Sequence, residues 1–402
     1  MGVAREAVGG AALGDRVYAV GGRSATAPTA VVEAYDTIAD RWSSVAPLPA
    51  PLSDVAVAAL DGVLYACGGL VPDGSAVASV SAYDPATDAW TKRAPLPSAR
   101  GGAAAAAFAG RLYVAGGLRD GIAVGDFAAY DPASDTWTTL PVMPHARHHL
   151  GLAATDVLVY AVGGSDGVTP LTIGEAFHPP GNEWFKEVAP LLAAREGLAL
   201  TALGGRLFAF GGLTDGINPF AVVAAPEMFD PSRNSWFFQP DMPTPRHGAA
   251  AVPVGARIYV IGGAAGSNDG TSGVTEVFLP PTADTFDVRR LALAKRGQRL
   301  RLAVSLGDAA SEDPTVAPLR IRVREGDADV FGVTLATGAL VAKGRGWRPA
   351  TDALPRGTVL SIRRRQALVL RLAGPTLRRP GTRHGLAVAV ELGARRFVGT
   401  VR

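Results

Sequence analysis

The sequence predicts an all-β protein, a six-bladed β-propeller over residues 1–290 followed by a small, basic β-sandwich over residues 291–402. Two observations lead there. Six glycine doublets recur along the chain, Gly21-Gly22, Gly68-Gly69, Gly116-Gly117, Gly163-Gly164, Gly211-Gly212 and Gly262-Gly263, at steps of 47, 48, 47, 48 and 51 residues. A period near 50 with one doublet per unit is the mark of a propeller array, in which each unit buries its apolar faces against its neighbours. Past residue 282 the repeat stops and the charge reverses. Residues 1–282 hold 16 Lys+Arg against 26 Asp+Glu, and residues 283–402 hold 23 against 10.

Each doublet carries companions. An aromatic stands three residues before the first glycine (Tyr18, Tyr65, Tyr113, Tyr160, Phe208, Tyr259), and a second follows the doublet by 13 to 17 residues (Tyr35, Tyr83, Tyr130, Phe177, Phe229, Phe278). Seven residues further on, five units place a tryptophan: Trp42, Trp90, Trp137, Trp184 and Trp236. The sixth unit has only Phe286, eight residues on, and is the most degenerate. Unit three shows how a repeat becomes a blade. Gly102 to Ala109 is an apolar run, Arg111 to Ala115 alternates into the doublet, Asp120-Gly121 is a turn, and Asp126–Asp131 and Thr136–Leu140 supply two more strands before Pro141 and Pro144 stop the sheet. A four-stranded sheet cannot bury both faces alone, so the aromatics belong between adjacent blades.

The doublet, the Tyr-Asp step (Tyr35-Asp36, Tyr83-Asp84, Tyr130-Asp131, with Phe229-Asp230 a variant) and the spaced Trp resemble the kelch repeat over roughly residues 1 to 293. The resemblance implies a propeller whose first strands line the central channel. It is nearly silent on function, because propellers host catalysts and adaptors alike.

Beyond residue 290 the alternating runs 300–304, 319–324 and 386–392, with arginine between apolar residues, read as half-buried strands; eight or nine strands and no helix are expected. The clusters Arg363-Arg364-Arg365, Arg378-Arg379 and Arg395-Arg396 suit an anionic surface or a solvated strand face. Nucleic acid is disfavoured, because only Phe286, Phe331, Trp347 and Phe397 could stack on bases and the core needs them. Arginine outnumbers lysine 35 to 4, which reads as a GC-rich, bacterial genome. No apolar run reaches 18 residues, so no membrane span is expected, and no signal peptide is visible. The first blade strand begins only a few residues in, which favours a leader removed upstream and an extracytoplasmic location. The single cysteine, Cys67, reads as a small buried residue.

The functional clue lies sixteen residues before the first glycine, where five of six units place an arginine: Arg5, Arg100, Arg147, Arg195 and Arg246, with Leu52 the exception. In the kelch adaptor that captures acidic peptides, arginines at this point of the repeat bind carboxylates, so the resemblance implies a ring of arginines around one channel opening. The Asp-Gly turns at Asp73, Asp120, Asp166, Asp215 and Asp269 share that rim. Two readings stand side by side: a site for a carboxylate-bearing peptide or glycan formed by the arginines with Asp120, Asp166 and Asp215, or a self-neutralised structural ring. Next to the arginines stand Glu6, His148, Glu196 and His247. Sialic acid mutarotases are also six-bladed kelch propellers, so an epimerase-type enzyme with Glu196, His148 and His247 as acid–base groups is the alternative. Galactose oxidase is excluded, because no Tyr-His pair occurs and the second domain offers only His384. His145, His148 and His149 read as a surface loop, no Walker loop occurs, and neither metal nor cofactor is expected. The sequence therefore predicts a non-catalytic binding module.

Overall fold

The computed structural model describes residues 1–214, 221–266 and 270–280, and beyond residue 280 the strands between Asp287 and Val401. The chain divides into two compact units, Met1–Pro280 and Pro281–Arg402. No helix occurs among the described residues.

The first unit is a six-bladed propeller. Blades one to five are four-stranded antiparallel sheets in sequence order, spanning 9–45, 56–93, 104–139, 151–188 and 199–238. Blade six, 247–278, has three strands among the described residues, which agrees with its degenerate repeat. In blade three the strands are Ala104–Phe108, Arg111–Ala115, Phe127–Asp131 and Thr136–Thr139, within two residues of the expected bounds. The first strand of every blade contacts the first strands of its two neighbours, and blade one meets blade six. A closed ring of first strands therefore surrounds the axis.

Aromatic packing between blades follows the two aromatic columns. The ring before each doublet meets the second ring of the next blade: Tyr18–Tyr83 at 5.8 Å, Tyr65–Tyr130 at 5.7 Å, Tyr113–Phe177 at 6.4 Å, Tyr160–Phe229 at 5.7 Å and Phe208–Phe278 at 5.9 Å, with Tyr259–Tyr35 at 5.8 Å closing the circle. Each tryptophan packs at a tilt against the second aromatic of its own blade, as Trp90 does against Tyr83 at 5.2 Å, and its indole N–H reaches back one blade. Trp90 donates to the Ala46 carbonyl at 2.9 Å, Trp137 to Ala94 at 2.8 Å and Trp236 to Ala189 at 2.9 Å. The same three linker residues donate their N–H groups to Asp88, Asp135 and Asn234 at 2.8 to 3.0 Å. One linker residue is thus held at both backbone atoms by the next blade. In blade four the partner of Trp184 is the carbonyl of Pro141, a residue with no N–H to give.

The glycine doublets form the other joint. The N–H of the second glycine donates to the carbonyl that opens the next blade: Gly22 to Leu52 at 2.8 Å, Gly69 to Arg100 at 3.0 Å, Gly117 to Arg147 at 3.0 Å, Gly164 to Arg195 at 2.9 Å, Gly212 to Arg246 at 3.0 Å, and Gly263 to Arg5 at 2.9 Å. At the first glycine a side chain is barred twice. Gly68 has φ +65°, and a Cβ there would lie 2.5 Å from the Arg100 carbonyl oxygen. Blade six is tied to the start of the chain by Met1 N to Gly273 O at 2.7 Å and Thr271 Oγ1 to Ala4 O at 3.1 Å. Cys67, fully buried next to this joint, has its thiol pushed up to about 12 by burial, which leaves it a packing group.

In the second unit ten strands are described, one more than the highest expectation. They form a six-stranded sheet that begins at Asp287–Leu293 and a four-stranded sheet built on Leu319–Glu325 and Leu386–Leu392. The expected strands at 300–304, 319–324 and 386–392 are present as Arg299–Ser305, Leu319–Glu325 and Leu386–Leu392. Arg364, Arg365, Arg378, Arg379, Phe286 and His384 lie outside the described residues.

Two outcomes follow from the joints. Gly68→Ala adds left-handed strain and a backbone collision, so urea unfolding is expected to show a loss of at least about 2 kcal/mol, whereas Gly62→Ala, at a turn with open space around it, is expected to lose less than half as much. The Asp88 carboxyl is held below the ordinary range by the Ala46 N–H and then Tyr83, and that of Asp135 by Tyr130 and then the Ala94 N–H. A depressed carboxylate contributes stability above its unfolded pKa and loses it as pH falls through the folded value. The midpoint of thermal unfolding is therefore expected to fall below about pH 4, and Asp88→Asn to flatten that fall.

Candidate functional site

The arginine column is an internal ring. Arg5, Arg147 and Arg195 are 0% exposed and Arg100 and Arg246 1% exposed, so none stands at an open rim. The backbone of each opens its blade while the guanidinium turns inward under its own second and third strands. Arg147 Nη1 donates to Glu175 Oε2 at 2.5 Å and to the His145 carbonyl at 2.9 Å, and Nη2 to the Ala161 carbonyl at 2.9 Å. Arg5 repeats the arrangement on Glu33 and the Ala19 carbonyl, Arg195 on Glu227 and Gly211, and Arg246 on Glu276, at 3.1 Å, and Gly262. Burial lowers the pKa of Arg147, Arg195 and Arg246, and the paired carboxylates act against that.

The neutralising acids are not those of the Asp-Gly turns. Glu33, Glu175, Glu227 and Glu276 each stand two residues before the second aromatic, on the third strand. Asp120, Asp166 and Asp73 are exposed turn residues, the last two capping local backbone N–H groups, and Asp215 and Asp269 lie outside the described residues. Blade two, which has Leu52 for arginine, has Ser81 at the acid position. Blade three has Ala128 there, and Arg100 instead meets Asp126, at 3.6 Å, which it shares with Arg119. The paired loss in blade two was a readable signal of this pairing.

The residues one and two places after the arginine column form the channel mouth. The second of these, Ala7, Asp54, Gly102, His149, Gly197 and Gly248, all have left-handed φ between +48° and +62°. Their backbones link head to tail around the axis: Asp54 N–H to Ala7 O at 3.1 Å, Gly102 to Asp54 at 2.9 Å, His149 to Gly102 at 2.7 Å, Gly197 to His149 at 2.9 Å, Gly248 to Gly197 at 2.9 Å, with Val8 N–H to Gly248 O at 3.3 Å completing the loop. Above it lies a cavity of about 280 Å³ lined by Glu6, Arg23, Asp54, His149, Glu196 and His247 among others.

Side chains meet across this mouth. His149 passes over blade three, where a Cβ at Gly102 would stand 3.0 Å from its ring, and its Nε2 bonds Asp54 Oδ1 at 2.9 Å. Its Nδ1 lies 2.7 Å from Nδ1 of His148. Burial, reinforced by the neighbouring His149, pushes His148 down to about 4. Burial also opposes charge on His149, but the Asp54 hydrogen bond and charge, with Glu196 and Glu6, lift its pKa above the ordinary histidine value. His149 thus donates from Nε2 to Asp54, and its Nδ1 shares a hydrogen bond with Nδ1 of His148. Asp54 is held low against its burial by His149 and by Ser53 Oγ at 2.8 Å. His247 Nε2 lies 3.8 Å from Glu6 Oε2. Of the acid–base candidates, Glu196 and His247 line the cavity, and His148 is buried beside it, while His145 lies outward on Glu175 at 2.7 Å.

With this geometry in place, comparison with known proteins gives one consistent result. A family model for the KLHDC2/KLHL20/DRC7 Kelch-repeats domain matches residues 10–212, half of the chain. Kelch-like protein terF of Aspergillus terreus is 31% identical over 109 residues, 27% of this chain and 24% of that protein. Kelch-like protein 35 of Mus musculus is 35% identical over 127 residues, 32% of this chain and 21% of that protein. The chain thus matches less than a quarter of the length of these relatives. The solved structure of YjhT superimposes with a TM-score of 0.59 at 16% identity, over 68% of this chain and 95% of that one, a likeness of fold. The chain belongs to the Kelch-repeat propeller family.

The arginine pairing has a measurable consequence. Arg147→Leu leaves Glu175 buried opposite no guanidinium and is expected to cost about 3–5 kcal/mol in urea unfolding. The double change Arg147→Leu with Glu175→Ser copies the natural Leu52 and Ser81 of blade two, and is expected to recover most of that loss.

Proposed function

We propose that this Kelch-repeat propeller is a non-catalytic protein-interaction module that engages its partner at the channel mouth, through Glu6, Arg23, Glu196 and His247. The observation that carries the reading is the contrast between two adjacent columns. The five arginines are used up inside the blades, and the polar groups that face open space converge one and two residues later, around a single cavity. Membership of the family supports a binding role over a catalytic one.

The expected carboxylate-bearing peptide or glycan would have to find its hydrogen-bond donors in Arg23, His149 and His247. Opposite these stand the carboxylates of Glu6, Asp54 and Glu196. A mouth of mixed sign suits a polar protein segment that brings a basic side chain to the acids and an acceptor to Arg23, better than a uniformly anionic chain. Glu196 and His247 could serve acid–base chemistry, but no geometry here favours the epimerase-type alternative.

For the basic unit, expected from residue 291 and set apart from Pro281 onward in the structure, we propose that its two sheets pack as a sandwich and that it docks on an anionic surface; the charge reversal supports this. An extracytoplasmic setting accords with that role.

A photo-reactive residue at position 23, in the native cell, is expected to crosslink one discrete protein partner, and Glu196→Arg to abolish the adduct. The same probe at Thr91, on the outer strand of blade two, is expected to give none. Adducts from position 91 and none from 23 would move the binding surface to the propeller's circumference.

A further inference from the structure

The mouth also gathers a metal-type donor set, which shares Glu196 with the proposed binding surface and adds two histidines. His148, His149 and Glu196 can place one ligand atom each within 4.8 Å of one another. We propose that these three residues bind a single divalent transition ion, zinc foremost, with Asp54 as the positioning residue behind His149.

Four features support the assignment. Two imidazoles and a carboxylate match the donors of three-ligand zinc sites and are a poor set for magnesium or calcium, which take oxygen. The two Nδ1 atoms already face each other at 2.7 Å, and an ion between them needs them only about 0.7 Å further apart, given bonds of about 2.1 Å in tetrahedral geometry. The hydrogen bond that joins the two rings occupies the position an ion would take between them. Finally, the Asp54 carboxylate accepts from Nε2 of His149 at 2.9 Å, which fixes the tautomer that leaves Nδ1 for the metal, and Ser53 Oγ holds that carboxylate in turn.

The backbone contributes rigidity. His149 has φ +48° and sits in the closed ring of backbone bonds, and the N–H groups of His148 and Glu196 pair with Ser165 and Leu213 at 2.9 Å. The donors therefore come from two adjacent blades whose spacing is set by the propeller. Three protein ligands leave a coordination position open, and Glu6 and His247 are further potential donors in the cavity wall. The inference is independent of the protein-interaction reading, because it concerns the isolated chain.

The test is zinc titration of the full chain, stripped with a chelator, against a chromophoric competitor, with cobalt(II) as a spectroscopic substitute. One zinc per chain is expected, and cobalt should give the visible bands of a four- or five-coordinate site. His149→Ala is expected to weaken binding at least 100-fold, Asp54→Asn by about 10–100-fold, and His178→Ala, on the third strand of blade four, not at all. Should His149→Ala fail to fold, Glu196→Gln, which keeps the shape of the mouth, decides the matter by a loss of at least tenfold. Absence of a one-to-one site, affinity unchanged in Glu196→Gln, or loss in His178→Ala would overturn the proposal.

Discussion

The propeller depends on one contact made six times: the carbonyl that opens a blade seated against the glycine doublet of the blade before it. This contact is demanding because it is backbone on backbone. The first glycine takes a left-handed φ and faces the carbonyl where a Cβ would be, and the second donates its N–H to the same oxygen. No side chain can substitute for that geometry, so the doublet is invariant across all six blades while neighbouring columns drift. Closing the circle then requires only that Arg5 meet Gly263 as its counterparts meet theirs, and Met1, Ala4 and Arg5 are hydrogen-bonded to blade six at Gly273, Thr271 and Ser272.

The arginine column is a second layer on the same joint. Its carbonyl belongs to the interblade contact and its guanidinium to the blade it opens, so one residue couples the position of a blade to that blade's own third strand. Guanidiniums withdrawn from water are costly without compensation: Arg5, Arg147, Arg195 and Arg246 each have a carboxylate and backbone carbonyls within reach, while Arg100 has only the more distant Asp126, at 3.6 Å. Blade two omits both charges, with Leu52 and Ser81, and keeps the same backbone contact. Charge is therefore dispensable at this position, whereas the carbonyl and the doublet are not.

This division explains what was legible. The doublets, the aromatics and the tryptophans were readable because steric and packing demands repeat with little freedom, and they gave blade number and strand order. The arginines were readable as a column, but their direction was not, because a guanidinium suits a rim and a buried pair equally. The partner acid two residues before the second aromatic would have decided it, but Asp126 in blade three breaks the spacing and hides the column. The mouth was the least legible part. Its left-handed column reads Ala, Asp, Gly, His, Gly, Gly, which has no common chemistry, and only the backbone conformation unites it. Glu6, His148, Glu196 and His247 could be named from their place beside the arginines, whereas Asp54 and Arg23 could not, since Asp54 follows Leu52, the one break in the column, and Arg23 follows a glycine doublet instead.

The same lack of common chemistry separates the two jobs of the ring. At the mouth the backbone bonds hold the six blades together, so the side chains carry no structural duty beyond tolerating positive φ. Glycine fills three of those positions, and the room it leaves matters: His149 reaches Asp54 only because Gly102 presents no side chain beneath its ring. Asymmetry in a symmetric scaffold therefore arises where the backbone alone suffices for stability. Side chains at Glu6, Asp54, His149, Glu196 and His247, set against bare glycine at Gly102, Gly197 and Gly248, give a pseudo-sixfold ring chemically distinct blades. An ion on His148, His149 and Glu196 would be held toward blades four and five, its place set by which blades kept side chains rather than by the propeller itself.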